Sequence, residues 1–347
     1  MPEKVKSLMA LYRKIIMEDY LSRAASDFKT YAVTNVRGGT GKTTLAFNMA
    51  YGLAQKQPIL LADLCAQKNF TDLVFTYGSM PEKNINDAFV PAVLGPAFGE
   101  PPAELAQPIN KINTLWEGVK DVFMISGGND LYNWPSALYC QMSLAASQGN
   151  AEEVRSLLYC LKNILEGEAA RTGSEKVILD TSPFYAGGTH LAWCAADALI
   201  VPVMPDKNSL DSLSFLFRLL SDPEGDYLTW NKRAEIAETP KIAALVMTQV
   251  GISNDRHLCP SDDSMIYMEK IMDLTESYRE LFVDQKPEKT FAILEDLDHA
   301  GRLSQAEKRP IKLLDTNRFS KIVGYKIVAD STVLRYKNQM DYLVSML

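Results

Sequence analysis

The stretch Arg37-Gly38-Gly39-Thr40-Gly41-Lys42-Thr43-Thr44 carries the residue types in this chain best placed to do chemistry. Glycines at 38, 39 and 41 let the backbone curl until several N–H groups face one anion. Lys42 supplies a compact positive charge suited to β- and γ-phosphates, and the Thr43 hydroxyl can ligate Mg²⁺. Two carboxylates close apolar runs elsewhere: Asp63 ends 59–63 (ILLAD) and Asp180 ends 176–180 (KVILD). The five cysteines (Cys65, Cys140, Cys160, Cys194, Cys259) and three histidines (His190, His257, His299) are scattered, with no CxxC pair. That spacing argues against a zinc module, a CxxC-ligated iron–sulfur cluster and a disulfide scaffold.

The elements that must position these groups are legible in the apolar pattern. Residues 30–36 (TYAVTNV) read as a buried strand that runs into the glycine loop, and 43–56 (TTLAFNMAYGLAQK) follow with helical spacing. Strand, loop and helix in that order put the positive end of a helix against the bound anion. Further strands are expected at 59–63, 121–126, 176–180, 198–203 and 242–247, and helices at 151–171, 209–220, 264–283 and 331–346. Apolar strands alternating with helices imply an α/β fold: a mostly parallel twisted sheet with helices on both faces.

Residues 1–29 read as one helix with Leu8, Leu11, Tyr12, Ile15 and Ile16 on its apolar face, a packing or dimer-contact extension. The remainder, 30–347, reads as a single domain. Within it the Pro- and Gly-rich 73–120 is expected to be an irregular surface insertion. Net charge is −7 over 347 residues. From 301 onward nine Lys and Arg face four acids, so the last 47 residues carry +5 and the rest −12. A positive end on an acidic body is a candidate polyanion surface, although a solvated helix face gives similar counts. The N-terminus lacks a signal-peptide core and no apolar run reaches the ~20 residues that span a bilayer, so a cytoplasmic protein is expected.

The loop departs from the ordinary P-loop pattern, G-x-x-x-x-G-K-[ST], because Val36 stands at its first position. From Asn35 to Thr44 it resembles the deviant Walker A loop of ParA/MinD-type P-loop ATPases, N-x-K-G-G-x-G-K-T-T. The resemblance implies that Arg37 takes the place of a lysine that reaches across a dimer to the partner's nucleotide; the alternative is that it points outward. Residues 59–69 (ILLADLCAQKN) resemble the family's second motif, with Asp63, Gln67 and Asn69 matching. Residues 176–183 (KVILDTSP) resemble its Walker B segment, with Asp180 beside Mg²⁺. Residues 191–202, 122–131 and 301–311 match weaker segments in the same order, and 243–250 (AALVMTQV) puts Thr248 and Gln249 in the adenine pocket.

The resemblance therefore implies ATP and Mg²⁺ as cofactors. Gly38, Gly39, Thr40, Gly41, Lys42, Thr43, Thr44, Thr248 and Gln249 would bind nucleotide, and Thr43, Asp63 and Asp180 would serve the metal. Lys42, Arg37 and the residue at position 65 would carry catalysis. That residue is Cys65, where the family has an aspartate that positions the attacking water. A neutral thiol accepts a water proton poorly, so slow or partner-dependent hydrolysis is expected.

The implied function is an ATP-switched sandwich homodimer that partitions DNA or positions a cargo. It would bind non-specific DNA in the ATP state, associate with the nucleoid and answer to a ParB-like or cargo adaptor. Arg318, Lys321, Lys326, Arg335 and Lys337 are the DNA-contact candidates. The alternatives are an ATP-holding scaffold and a MinD-like membrane switch. The last 12 residues (YKNQMDYLVSML) hold one lysine and an internal Asp341, so packing on the domain is expected over membrane binding. Nothing in the sequence supports a metabolic ligase or an iron-protein reductase.

Overall fold

Runs of apolar and β-branched residues without polar alternation form strands covered on both sides. The computed structural model describes residues 2–17, 27–76, 78–253, 258–284, 286–322, 325–329 and 332–347, and gathers these runs into one eight-stranded sheet. In chain order the strands are β1 (Thr30–Val33), β2 (Ile59–Leu64), β3 (Gln107–Pro108), β4 (Val122–Ile125), β5 (Lys176–Thr181), β6 (Ala198–Val203), β7 (Lys241–Val250) and β8 (Phe291–Glu295). Their order across the sheet is β8-β7-β6-β1-β5-β2-β4-β3. All pairs are parallel except β3 with β4. The chain leaves β1 toward β2 on one side, while β6, β7 and β8 build the other, so β1 sits at the switch point where open α/β sheets bind ligands.

The pleat divides the core in two. Leu60, Ala62 and Leu64 of β2 enter one apolar cluster, and Ile59 and Leu61 enter the other. On the second face lie α2 (Lys42–Ala54), α3 (Asn69–Val74), α12 (Asp298–Ala306) and α13 (Thr332–Ser345). The first face is covered by α4 (Ile85–Leu94), α5 (Trp134–Ser147), α6 (Ala151–Leu158), α7 (Cys160–Thr172), α8 (Gly188–Ala195), α9 (Lys207–Ser221), α10 (Asp226–Arg233) and α11 (Asp262–Ser277). A two-stranded hairpin, β9 (Phe319–Ile322) and β10 (Tyr325–Val328), stands on α12 outside the main sheet. Helices α2 and α13 cross so closely that a Cβ on Gly52 would lie 2.8 Å from Val344 Cγ2.

Several expectations need correction. The N-terminal helix α1 runs only Glu3–Ile16, and the Met17 N–H closes it on the Arg13 and Ile15 carbonyls; residues 18–26 of the expected helix lie outside the described residues. It buries Val5, Leu8, Met9, Tyr12 and Ile15 and packs against α11 and α13, so its apolar face serves the domain itself. The 73–120 segment is no mere surface excursion. It contains α4, capped by an Asn84–Asp87 capping box, and it buries Phe89, Ile109 and Trp116 completely. The Trp116 ring stands 5.9 Å from Phe47 and 5.2 Å from Tyr51 of α2. The expected helix 151–171 breaks at Tyr159 into α6 and α7, and α11 stops at Ser277. Strand β8, helix α12 and the hairpin have no counterpart among the expected elements, because their apolar runs are short and interrupted by charge.

Candidate functional site

Five strand ends converge at the carboxyl edge of the sheet. Beyond β1, Thr34 N–H still donates to the Ile200 carbonyl at 2.9 Å, and the loop then turns into α2. Gly39 and Gly41 have φ of 77° and 85°, the left-handed region that a side chain disfavours. Gly41 occupies the N-cap of α2, which frees the first N–H groups of the helix for a ligand.

Register in the sheet sets the carboxylates. Asp63 on β2 pairs with Asp180 on β5, and Val33 pairs with Asp180 from the other side. The Thr43 hydroxyl donates to Asp180 Oδ2 at 2.7 Å, while Oδ1 is buried with no hydrogen-bond partner. Burial, followed by the charge of Asp63, pushes the Asp180 carboxyl well above the usual carboxylate range. A hydroxyl and a carboxylate with a free oxygen form a hard-oxygen donor set suited to Mg²⁺, whose charge would restore the ionised carboxylate. Asp63 differs. Its Oδ1 accepts from Cys65 N–H at 3.0 Å, and its Oδ2 accepts from the Thr71 N–H and hydroxyl, both at 2.8 Å. With both oxygens so engaged, Asp63 ties down the segment between β2 and α3.

Two basic residues are held by their own chain. Lys42, only 7% exposed, donates to the Arg37 carbonyl at 2.7 Å; burial lowers its pKa, partly offset by Asp180 and then Cys65. Arg37 donates to Asp206 Oδ1 and to Ser209 Oγ, each at 2.5 Å. Burial raises the Asp206 carboxyl, but the Ser209 N–H and Arg37 outweigh it and hold the group below its usual range. Asp206 is also the N-cap of α9, so one carboxylate fixes both a helix start and Arg37. Asn35 anchors the loop from below, donating to the Pro202 carbonyl at 2.7 Å and accepting from Arg37 N–H and Ser212 Oγ. Cys65 is 7% exposed, and burial raises its thiol pKa.

Thr248 and Gln249, at the end of β7, donate to the Thr40 carbonyl at 2.9 Å and the Gly39 carbonyl at 3.0 Å. Beside them opens a cavity of about 280 Å³, lined by Thr44, Thr248, Gln249, Asp296, Arg302 and Gln305 among others. Sequence reasoning missed Asp296, Arg302 and the Arg37 partners Asp206 and Ser209. The Asp-x-x-Ser spacing before the 207–221 helical run was a readable capping signal.

The DNA-contact candidates do not form one patch. Arg335 makes a two-pronged pair with Glu295, Nη2 to Oε2 at 2.8 Å, and Glu295 is 4% exposed. That pair, joined by Gln339 Nε2, is part of the core between β8 and α13, which removes Arg335 from the candidate set. Arg318 is paired with Glu307 at 2.6 Å. Lys337 is partly buried, which lowers its pKa. Lys321 and Lys326 are backbone partners in the β9–β10 register.

Residues 28–224 match the family model AAA_31, described as an AAA domain. No curated protein matches in sequence. Among solved structures, the ATP complex of a single-substitution variant of Cyanothece McdA aligns with TM-score 0.57 at 18% identity, covering 83% of this chain and 90% of that one. A Borrelia burgdorferi B31 protein named for plasmid partition, bound to AMPPNP, aligns with TM-score 0.54 at 13% identity, covering 92% and 99%. The cobyrinic acid a,c-diamide synthase of Mycobacterium smegmatis, with ADP and magnesium, aligns at 0.51 and 18%, covering 71% and 81%. At these identities the alignments establish the fold alone, an α/β P-loop NTPase-like sheet flanked by helices.

Proposed function

The chain belongs to the AAA_31 family of AAA domains, and on that premise we propose that it is a ParA-like ATPase working as an ATP-switched homodimer that binds DNA while positioning a cargo. The observation that carries this reading is the Lys42–Thr43–Asp180 constellation, with its one unpartnered carboxylate oxygen, at the end of β1.

On ATP binding, Lys42 would exchange the Arg37 carbonyl for the β- and γ-phosphates, and the loop N–H groups would take the remaining phosphate oxygens. Thr43 and Asp180 would hold Mg²⁺, which neutralises charge developing on the phosphates. Arg37 would exchange Asp206 for phosphate oxygens, in its own site or across a dimer, for which a guanidinium fork is suited. Because the γ-phosphate rewards only the rearranged state, ATP and ADP would favour different populations. Cys65 leaves the attacking water without a carboxylate to orient it, so turnover would be slow or dependent on a partner.

A second reading, a scaffold that holds ATP without turnover, is favoured by the same buried thiol. A membrane switch built on the last helix is not favoured. Tyr342, Leu343, Val344, Met346 and Leu347 are all buried against the domain, and no helix among the described residues is long and apolar enough to cross a membrane.

The test is fluorescence anisotropy of labelled random-sequence duplex with Mg-ATP, Mg-ADP or no nucleotide, at two salt concentrations. Binding with ATP alone, weakened by salt and lost in Lys42→Ala, is expected. ATP binding without DNA binding in any state refutes the DNA-positioning role and leaves the scaffold.

A further inference from the structure

We propose that the cavity between α1, α11 and strand β8 is a binding site for a small apolar amine, and that its occupant tunes nucleotide binding. The site itself is independent of the nucleotide reading above, and only the tuning rests on it. The cavity measures about 470 Å³, against about 280 Å³ for the one beside Thr248. Mostly apolar space of roughly 300–1,000 Å³ between packed elements is what small ligands occupy. Leu8 and Leu11 of α1, Met272 of α11 and Phe291 of β8 supply its apolar wall. β8 is the last strand on its side of the sheet, and α1 covers that edge by packing on β8, α11 and α13.

Charge selects the polar end of the ligand. Among the described residues, Lys4 and Glu276 are the charged groups that line the cavity. Lys4 is already engaged: its Nζ donates to Asp273 Oδ1 at 2.6 Å. That bond raises the ammonium's pKa, and the charges of Asp273, Glu276 and Glu269 add to the rise against the cost of burial. Glu276 is held loosely. Its pair with Arg279 is 3.8 Å long, between side chains more than half exposed, and such a pair contributes little. A carboxylate so placed beside an apolar wall favours a ligand that ends in a protonated amine and disfavours one that ends in an acid.

The occupant is placed to be felt at the nucleotide site. Phe291 begins β8, and Leu294 and Glu295 at its other end wall the cavity beside Thr248. Helix α13 gives a second connection. Its Asn338 Nδ2 donates to the Ile16 carbonyl at the end of α1, at 3.1 Å, and its Tyr336 lines that same second cavity. A ligand that shifts Phe291 or α1 moves a wall of the second cavity, and by linkage nucleotide changes the amine's affinity by the same factor.

The experiment titrates the full chain with two fluorescent probes. Dansylcadaverine carries an aromatic body on a protonated amine, and dansyl-aminocaproic acid carries the same body on a carboxylate. Dansylcadaverine is expected to bind one per chain, about tenfold or more tighter than the acid. Glu276→Gln should weaken the amine about tenfold and so erase that preference. Leu11→Trp, which fills the cavity from a partly exposed position, should weaken both probes, with circular dichroism showing that each variant is folded. Saturating dansylcadaverine should shift the dissociation constant of Mg-ATP, measured by calorimetry, about fivefold or more, and Mg-ATP should shift that of the amine equally. Equal binding of amine and acid, or amine binding untouched by either variant, overturns the site. Amine binding with no shift in Mg-ATP affinity overturns the tuning. If Mg-ATP binds under no condition, the nucleotide reading falls together with the tuning, while the two probes still decide the site.

Discussion

Lys42 and Arg37 each spend their charge on groups of their own chain, a carbonyl and a carboxylate, so every proposed contact with nucleotide is an exchange of partners. Cys65 sits beside two carboxylates and their backbone donors, in a position where an aspartate would add an acceptor for the attacking water. Cys65→Asp is expected to raise steady-state hydrolysis of Mg-ATP by about tenfold or more, within the range attributed to a positioned base. It should also lower the melting temperature without Mg²⁺, because a third buried carboxylate joins Asp63 and Asp180. Unchanged turnover in a phosphate-release assay would remove position 65 from the mechanism.

His190 offers a pH test away from that site. It is fully buried, its Nδ1 is 3.0 Å from Tyr139 Oη, and burial lowers its pKa from 6.5 to about 3. The folded state keeps it neutral while the unfolded chain takes up a proton below about 6.5, so its contribution is present above that pH and lost as pH falls toward 3. Urea titrations between pH 6.5 and 5 should show wild type losing up to about 1.4 kcal/mol per pH unit more than His190→Gln. Equal slopes would mean that the ring is solvated.

At the scale of elements, what was legible followed period and length. The strand–loop–helix around Lys42, the carboxylate-ending strands β2 and β5, and the central strands β6 and β7 are long apolar runs, and each stands within a few residues of its expected place. The two-residue β3, the charged-ended β8 and the hairpin were not legible, because short strands draw their definition from partners far along the chain. The 73–120 segment misled for a related reason. Its prolines and glycines mark turns, but burial of Phe89 and Trp116 is decided by α4's neighbours and by α2. Trp116→Ala is expected to cost about 3–5 kcal/mol by chemical denaturation. Trp116→Phe should cost much less, since the indole N–H has no partner to lose. A loss below about 1 kcal/mol for the alanine variant would return this segment to the surface.

For the whole molecule, a motif can name candidate site residues, whereas the restraint on Arg37 was not legible in the sequence. Asp206 lies 169 positions from Arg37, and only the fold brings them together. If Arg37 serves a partner subunit, Asp206 competes with dimerisation. Asp206→Asn removes the charge while keeping a helix cap, and should shift the Mg-ATP-dependent monomer–dimer equilibrium several-fold toward dimer in sedimentation velocity. A dimer constant equal to wild type would mean that Arg37 acts within its own subunit.

Trp193 gives the molecule a signal of its own. Its indole N–H donates to Thr34 Oγ1 at 3.0 Å, just beyond β1, and its ring lies 5.0 Å from Tyr185. Tyr185 lies two residues after Pro183, whose Cβ is 3.8 Å from where a Cβ on Gly38 would be. The indole is thus wired at one end to the strand that feeds the phosphate loop and at the other to the segment flanking it. A chain carrying Trp193 as its sole tryptophan would report, as a change in emission wavelength or quenching, each time that loop changes hands between nucleotides, with no label attached.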